Sequence, residues 1–244
     1  MAAIAHRLGS FVISLATALA ILAIVMPLFL NPVWVAFEQD RSQAAAWTGF
    51  SPTDLRAATD AILADLVFGP PEFDVAVAGQ PVLDARERSH MRDVRTVFMG
   101  FFAVTAVLVV AGVAVALRRR ALDRASSWRA VRNGALGLIV GLVLVGGYGF
   151  IAFDILFEVF HRLFFAGGSY TFDPATERLV QLFPFAFWQE TAIALGVAAI
   201  VVAIGVSLVA HWRLAVVRGA DAPGPAAAVA TATSSAAPAP ESRP

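Results

Sequence analysis

The sequence has no cysteine and no lysine among its 244 residues, and only two tyrosines and four histidines. Without cysteine there is no disulfide, no thiolate nucleophile and no Cys-ligated metal. Without lysine all 18 cationic side chains are arginine, a mark of codon usage rather than mechanism. Charge of any sign is scarce, at 15% of residues, and the net charge is zero, which argues against a nucleic-acid binder. What remains is apolar: 59% of residues are hydrophobic and the mean hydropathy is +0.74, too apolar for an ordinary soluble domain.

The apolar residues gather into four runs, at about 10–30, 97–117, 134–153 and 191–210. Each is long enough to cross a ~30 Å hydrocarbon core as a helix. The first follows His6 and Arg7, as a signal peptide would, but is too long for a signal-peptide core and lacks a clear cleavage site; a retained helix is expected. Gly137, Gly141, Gly146, Gly147 and Gly149 in the third run allow close helix contact. Arg118, Arg119, Arg120, Arg124, Arg129 and Arg132 fill the loop between the second and third runs, which should therefore be cytoplasmic. Both termini follow it inside, and residues 219–244, rich in Ala, Pro and Ser, read as a disordered cytoplasmic tail. Trp188 and Trp212 mark the two interfaces of the fourth run.

The expected fold is an all-α membrane protein: one four-helix domain over residues 1–218, with outer loops 31–95 and 154–190. The first loop should form a small extracytoplasmic subdomain. Ser51-Pro52-Thr53-Asp54 opens a helix, with Ser51 as cap and Pro52 at the first helical position. Leu55, Ala58, Ile62 and Leu66 form its apolar stripe, and Phe68-Gly69-Pro70-Pro71 ends it. Alternation from Phe73 to Val77, a turn at Ala78-Gly79-Gln80 and Pro81-Val82-Leu83 suit a short hairpin.

Chemistry concentrates where the third run ends. Asp154, Glu158 and His161 are spaced four and three residues apart, so a helix puts them on one face. His90 and Asp93, three apart, stand before the second run, which brings them to the same side of the membrane. Charged groups this close to a membrane core are expensive. Two histidines with carboxylates nearby can serve as a general base and its orienting partner; single interfacial histidines satisfied by carboxylates are the plain alternative. Ser89 cannot be the nucleophile of His90, because helix neighbours point about 100° apart. Glu158-x-x-His161 is half of a di-iron motif without its second half, and zinc on His90, His161 and a carboxylate is a weak reading, so no metal and no cofactor are expected. Arg86, Arg88, Arg92, Arg95 and Arg162 share this level; they form a solvated rim, or bind lipid phosphate and an oxyanion. Gly167-Gly168 and Asp173-Pro174 mark turns.

The stretches E-R-S-H-M-R-D-V (87–94), F-H-R-L-F-F-A-G-G-S-Y-T-F-D-P (160–174) and L-F-P-F-A-F-W (182–188) resemble a family of small four-span bacterial membrane proteins that includes the lipoprotein intramolecular transacylase, Lit. The resemblance covers roughly Ser10 to Ala210. It implies transfer of an ester-linked acyl chain from the diacylglyceryl group of a lipoprotein to the α-amine of its N-terminal cysteine, giving the lyso form. It implies catalytic roles for His90 and His161, carries the family's aspartates over to Asp93, Asp154 and Asp173, and makes membrane lipids and a diacylglyceryl-lipoprotein the partners. On this reading His161 or His90 is the base, Asp154 or Asp93 orients it, and Arg88, Arg92, Arg162 and Asp173 bind substrate. The site would face the extracytoplasmic side of the bacterial cytoplasmic membrane. Phe185 departs from the acidic residue that often follows the L-F-P proline in the family. The rival class is a non-enzymatic membrane protein that binds lipid or metal through the same His/Asp cluster.

Overall fold

The computed structural model describes residues 1–119, 123–165 and 169–220. The expected tail and the Gly167-Gly168 turn lie outside these residues, apart from the tail's first two. Four helices are long and apolar enough to cross a membrane: α1 (Ala2–Val25), α5 (Ala85–Arg118), α6 (Arg124–Ile151) and α9 (Phe185–Ala220). The chain is a multi-pass membrane protein. The helix order brings the described residues between α1 and α5 and between α6 and α9 to one end of the bundle, and the start of α1, the end of α5, the start of α6 and the end of α9 to the other.

The helices outrun the apolar runs that announce them. α5 has 34 residues and α9 has 36, so each is ~50 Å long against a ~30 Å core. A helix has no reason to stop at the headgroups; it stops where a cap or breaker ends it. α5 starts at Asp84, whose Oδ1 accepts from the Glu87 N–H (2.8 Å) while Glu87 Oε2 accepts from the Asp84 N–H (2.7 Å). His90 therefore rides on the spanning helix itself, not on a separate segment before it.

Small residues let the bundle close. Ala135 of α6 meets Ala199 and Ala203 of α9, all fully buried, beside Ile21 and Val25 of α1. Ser14 on α1 donates its hydroxyl to the Ala130 carbonyl (2.8 Å). Gly134 sits against the Ser14 backbone, where a Cβ would meet Ser14 Cα and its carbonyl carbon at 2.9 Å.

The segment between α1 and α5 folds into a head. α4 (Pro52–Val67) is capped by Ser51, whose Oγ accepts from the Asp54 N–H at 3.1 Å. It buries Leu55, Ala58, Ile62, Leu63 and Leu66. The hairpin forms but is minimal: β1 (Ala76–Val77) pairs β2 (Gln80–Pro81) antiparallel, with Ala78 and Gly79 both at positive φ in the tight turn. Two further short helices, α2 (Pro32–Arg41) and α3 (Ala44–Thr48), complete the segment. Asn31 caps α2, accepting from the Val33 and Trp34 N–H groups, with Pro32 at the first position.

The α4 stripe does not reach over the histidines. It is spent in the head's own core, against Val35, Phe73, Leu83 and Met91 and against Leu179, Leu182, Phe183 and Phe187 from the second outer segment. That second segment holds α7 (Phe153–Phe164) and α8 (Arg178–Leu182). Gln39 ties the two segments, donating to the Leu182 carbonyl (2.9 Å) and to Thr59 (3.0 Å).

The head also grips α9 through a charged cluster. Glu38 of α2 is 1% exposed. Arg41 pairs with Glu190 of α9 at 2.6 Å and approaches Glu38 at 3.9 Å. Burial, and then the neighbouring Glu190, push the Glu38 carboxyl up to about 7, against the opposing pull of Arg41. The folded state thus holds a proton that the unfolded chain releases near the ordinary carboxylate range. Stability should fall as pH rises from about 4.5 through about 7. Thermal unfolding in nanodiscs between pH 4.5 and 8 should show this slope and lose part of it in Glu38→Gln; identical slopes for the two proteins would refute the assignment.

Candidate active site

Two histidines from different helices face each other where the head meets the bundle. His90 lies on the second turn of α5 and is 6% exposed. His161 lies in the last turn of α7 and is half-buried. Their rings stack, with centroids 6.2 Å apart and planes 22° from parallel.

α7 is delivered by a break in the chain. α6 ends at Ala152, whose φ of −138° and ψ of 54° leave the helix. Gly149 lets Leu156 fold back, since a Cβ there would meet Leu156 Cδ2 at 2.9 Å. α7 then sets Asp154, Glu158, His161 and Arg162 apart from an exposed apolar row, Ile155, Val159 and Leu163.

Aromatic rings wall the pair. Phe165 touches both imidazoles, with centroids 4.8 Å from His90 and 5.4 Å from His161. Phe172 stands edge-on to His90 at 5.3 Å. Phe157 and Tyr170 pack on His161 at 4.0 and 5.0 Å. Phe165 is itself 5% exposed, so it packs inward against the two rings, whereas Phe160 and Phe164 are exposed.

The two imidazoles differ in hydrogen bonding. His161 Nδ1 lies 2.7 Å from the Phe157 carbonyl oxygen. A carbonyl can only accept, so in the neutral ring Nδ1 carries the hydrogen and Nε2 keeps the lone pair. Burial lowers the His161 pKa from its ordinary value, opposed by the Phe157 carbonyl and Glu158. His90 Nδ1 is buried with no hydrogen-bond partner among the described residues.

The other residues singled out in the sequence are placed differently. Asp93 and Asp154 are exposed, and neither makes a hydrogen bond to a histidine among the described residues; the partner of His161 is a backbone carbonyl. Most of the arginines are engaged within the protein rather than forming a free rim. Arg88 pairs with Asp74 at 2.8 Å, Arg162 with Glu158 at 2.7 Å, Arg86 with Glu177, and Arg95 donates to the Asp65 carbonyl. Arg92 is exposed and makes no ion pair among the described residues. Asp173 accepts from the Ala175 N–H (2.9 Å) and shapes the turn at Pro174. No group of three or more His, Asp or Glu among the described residues is placed to hold a metal ion.

Two polar residues escaped the sequence reading. Tyr170 packs tilted against His161 while its hydroxyl donates to Glu158 Oε1 at 3.1 Å. Glu87, 2% exposed, accepts from the Leu179 N–H at 2.6 Å. For Glu87 a signal existed: Asp84 and Glu87 are spaced as a capping box before an apolar run.

A multi-pass helical protein with a small folded head, and with paired histidines ringed by aromatic side chains at the junction of the two, is the class that the fold and the site define. The family of the lipoprotein intramolecular transacylase, Lit, matches over residues 10–188, and the chain belongs to it. The structure is similar to the membrane-integral lipoprotein intramolecular transacylase Lit from Bacillus cereus, with a TM-score of 0.70 at 19% identity over 88% of this chain and 97% of that one. Two further structures of the Bacillus cereus protein, one with a histidine-to-arginine and one with a histidine-to-alanine substitution, each align with a TM-score of 0.67 at 18% identity. They cover 88% and 85% of this chain and 93% and 92% of theirs. At this level of identity the likeness speaks for the fold. Comparison with curated proteins gives no match.

Proposed function

We propose that this protein moves an O-acyl chain from the diacylglyceryl group of a lipoprotein to the α-amine of the same N-terminal cysteine, giving the lyso form. The observation that carries the reading is the pair of facing imidazoles, in which His161 Nε2 and the buried His90 Nδ1 have no hydrogen-bond partner among the described residues. An α-amine has a pKa near 8 and needs a base to attack. His161 Nε2 takes its proton, and burial favours the neutral ring that can do so. A buried N–H without a partner is rarer than a buried lone pair without one, so His90 carries its hydrogen on Nε2 and offers it to the oxyanion. The amine nitrogen bonds to the ester carbonyl carbon, the carbon–oxygen bond to the glyceryl group breaks, and His161 returns the proton to the leaving oxygen. Asp93 and Asp154 steady the imidazolium at a distance. Arg92 meets the headgroup region of the substrate, with Arg88, Arg162 and Asp173 shaping the rim. Because amine and ester share one molecule, catalysis is mostly positioning, and no covalent enzyme intermediate is required.

The arginine-rich stretch from Arg118 to Arg132 supports a cytoplasmic location for that end, for both termini and for the tail, with the histidines outside. A reporter active only in the cytoplasm should work when fused after Arg218; activity of an exported-only reporter there would reverse the orientation. The outward-facing apolar row of α7 suits a helix lying at the interface, beside substrate chains still in hydrocarbon. The function is tested by mass spectrometry of a lipoprotein N-terminus from cells with and without this protein. The acyl chain should sit on the cysteine nitrogen only in the former. An unchanged diacylglyceryl form in both would favour the non-enzymatic, lipid-binding reading.

A further inference from the structure

We infer that Glu87 is a positioning residue for His90: it latches the strap Thr171–Leu179 to the start of α5 and so closes the wall that buries the imidazole. A capping box alone does not need a buried glutamate; the reciprocal bonds with Asp84 can form at an exposed helix end. Here the Glu87 side chain is 2% exposed and each of its oxygens accepts a backbone N–H, Oε2 from Asp84 at 2.7 Å and Oε1 from Leu179 at 2.6 Å. The second bond reaches 92 residues along the chain, to the first turn of α8. The residue before α8, Glu177, supplies no side-chain cap of its own, so Glu87 satisfies a donor that the short helix leaves open.

The neighbouring Arg86 fastens the same strap near both of its ends. It pairs with Glu177, donates to the Thr171 carbonyl at 2.9 Å, and lies 4.7 Å from the centre of the Phe172 ring. Phe172 in turn stands 5.3 Å from the ring of His90, one helical turn after Glu87. Two adjacent residues of opposite charge therefore hold the strap, and Phe172, next to its Thr171 end, covers the imidazole. If the Leu179 bond is lost, the strap loosens from a buried anchor, water reaches His90, and the stacked pair loses one wall.

The activity arm of the test rests on the proposed transacylation; the titration arm does not. The full-length protein is compared in nanodiscs as wild type, Glu87→Gln and Asp84→Ala. Glutamine keeps only one acceptor oxygen, so it cannot serve both N–H groups. Asp84→Ala breaks the helix cap but leaves the Glu87–Leu179 bond in place. In Glu87→Gln, NMR titration of labelled histidine rings should show one buried ring moving toward the behaviour of an exposed histidine, and conversion of a diacylglyceryl lipopeptide should fall at least tenfold. In Asp84→Ala the unfolding temperature drops, but the titration and the rate stay within about twofold of wild type. If Glu87→Gln does not accumulate, Glu87→Asp, which keeps the charge and shortens the reach, is read in the same way. Equal changes in the two variants, or an unmoved histidine titration in the Glu87 variant, would overturn the inference. Wild-type protein without conversion, but with the titration shift intact, would put the failure in the proposed reaction and not in the latch.

Discussion

His161→Ala is expected to lower conversion of a diacylglyceryl lipopeptide by about 10²–10⁴-fold, the range of a general base, with little change in unfolding temperature. The two halves of this result follow from different observations. The ring lies in the last turn of a short, amphipathic helix and is half-buried. Its one side-chain hydrogen bond among the described residues is to a carbonyl of its own helix, which water can replace. Little of the fold therefore depends on it, while the lone pair at Nε2 has no substitute on α7. His161→Asn should not rescue activity, since an amide has no basic nitrogen. A structural role would give the reverse pattern: abundance and unfolding temperature would fall first, and the activity per folded molecule would hold.

The second large effect is expected at Gly134, far from the histidines. A methyl group there has no room, because the nearest atoms belong to the Ser14 backbone and not to a side chain that could swing aside. Gly134→Ala must push α1 away from α6. That also weakens the Ser14–Ala130 hydrogen bond and the packing around Ile21 and Val25. Overpacking of this kind typically costs ~1–3 kcal/mol. Unfolding in a detergent series should show the loss. Gly137→Ala serves as control, since a Cβ at Gly137 meets nothing within 4 Å and alanine is the better helix former. Equal behaviour of the two variants would contradict the assigned α1–α6 contact.

These contrasts bear on what can be read from a sequence like this one. The four spans are legible because a bilayer demands about 20 apolar residues in succession, and nothing else in the chain looks like that. The ends of the helices are not legible from apolarity. α5 begins twelve residues before its apolar run, at a capping box, and this is why His90 stands on a spanning helix. The start of α4 was readable from Ser51-Pro52; the same logic at Asn31-Pro32 would have given α2. The placing of His90 and His161 at one end of the bundle followed from counting crossings; the stacking of their rings is seen only in the structure. Their polar partners did not, because those are long-range or backbone groups. Arg88 finds Asp74 fourteen residues back, Arg86 finds Glu177 across the head, and His161 finds a carbonyl that every residue possesses. Carboxylates at helical spacing, Asp154 and Asp93, looked like the orienting groups because spacing is all that a sequence displays. Glu38 was unremarkable as one of many acidic residues, until the fold buried it against α9.

The proposed reaction moves an acyl group within a single lipoprotein. The most direct measurement uses purified protein and two synthetic diacylglyceryl lipopeptides of different peptide sequence. One carries ordinary acyl chains and the other deuterated ones. After incubation of the mixture, tandem mass spectrometry locates the acyl group on each cysteine nitrogen. Transfer within one molecule gives ordinary N-acyl on the first peptide and deuterated N-acyl on the second, with no crossover, and His161→Ala forms product at least about 10²-fold more slowly. Crossed products, or N-acylation at the wild-type rate in His161→Ala, would contradict this reaction.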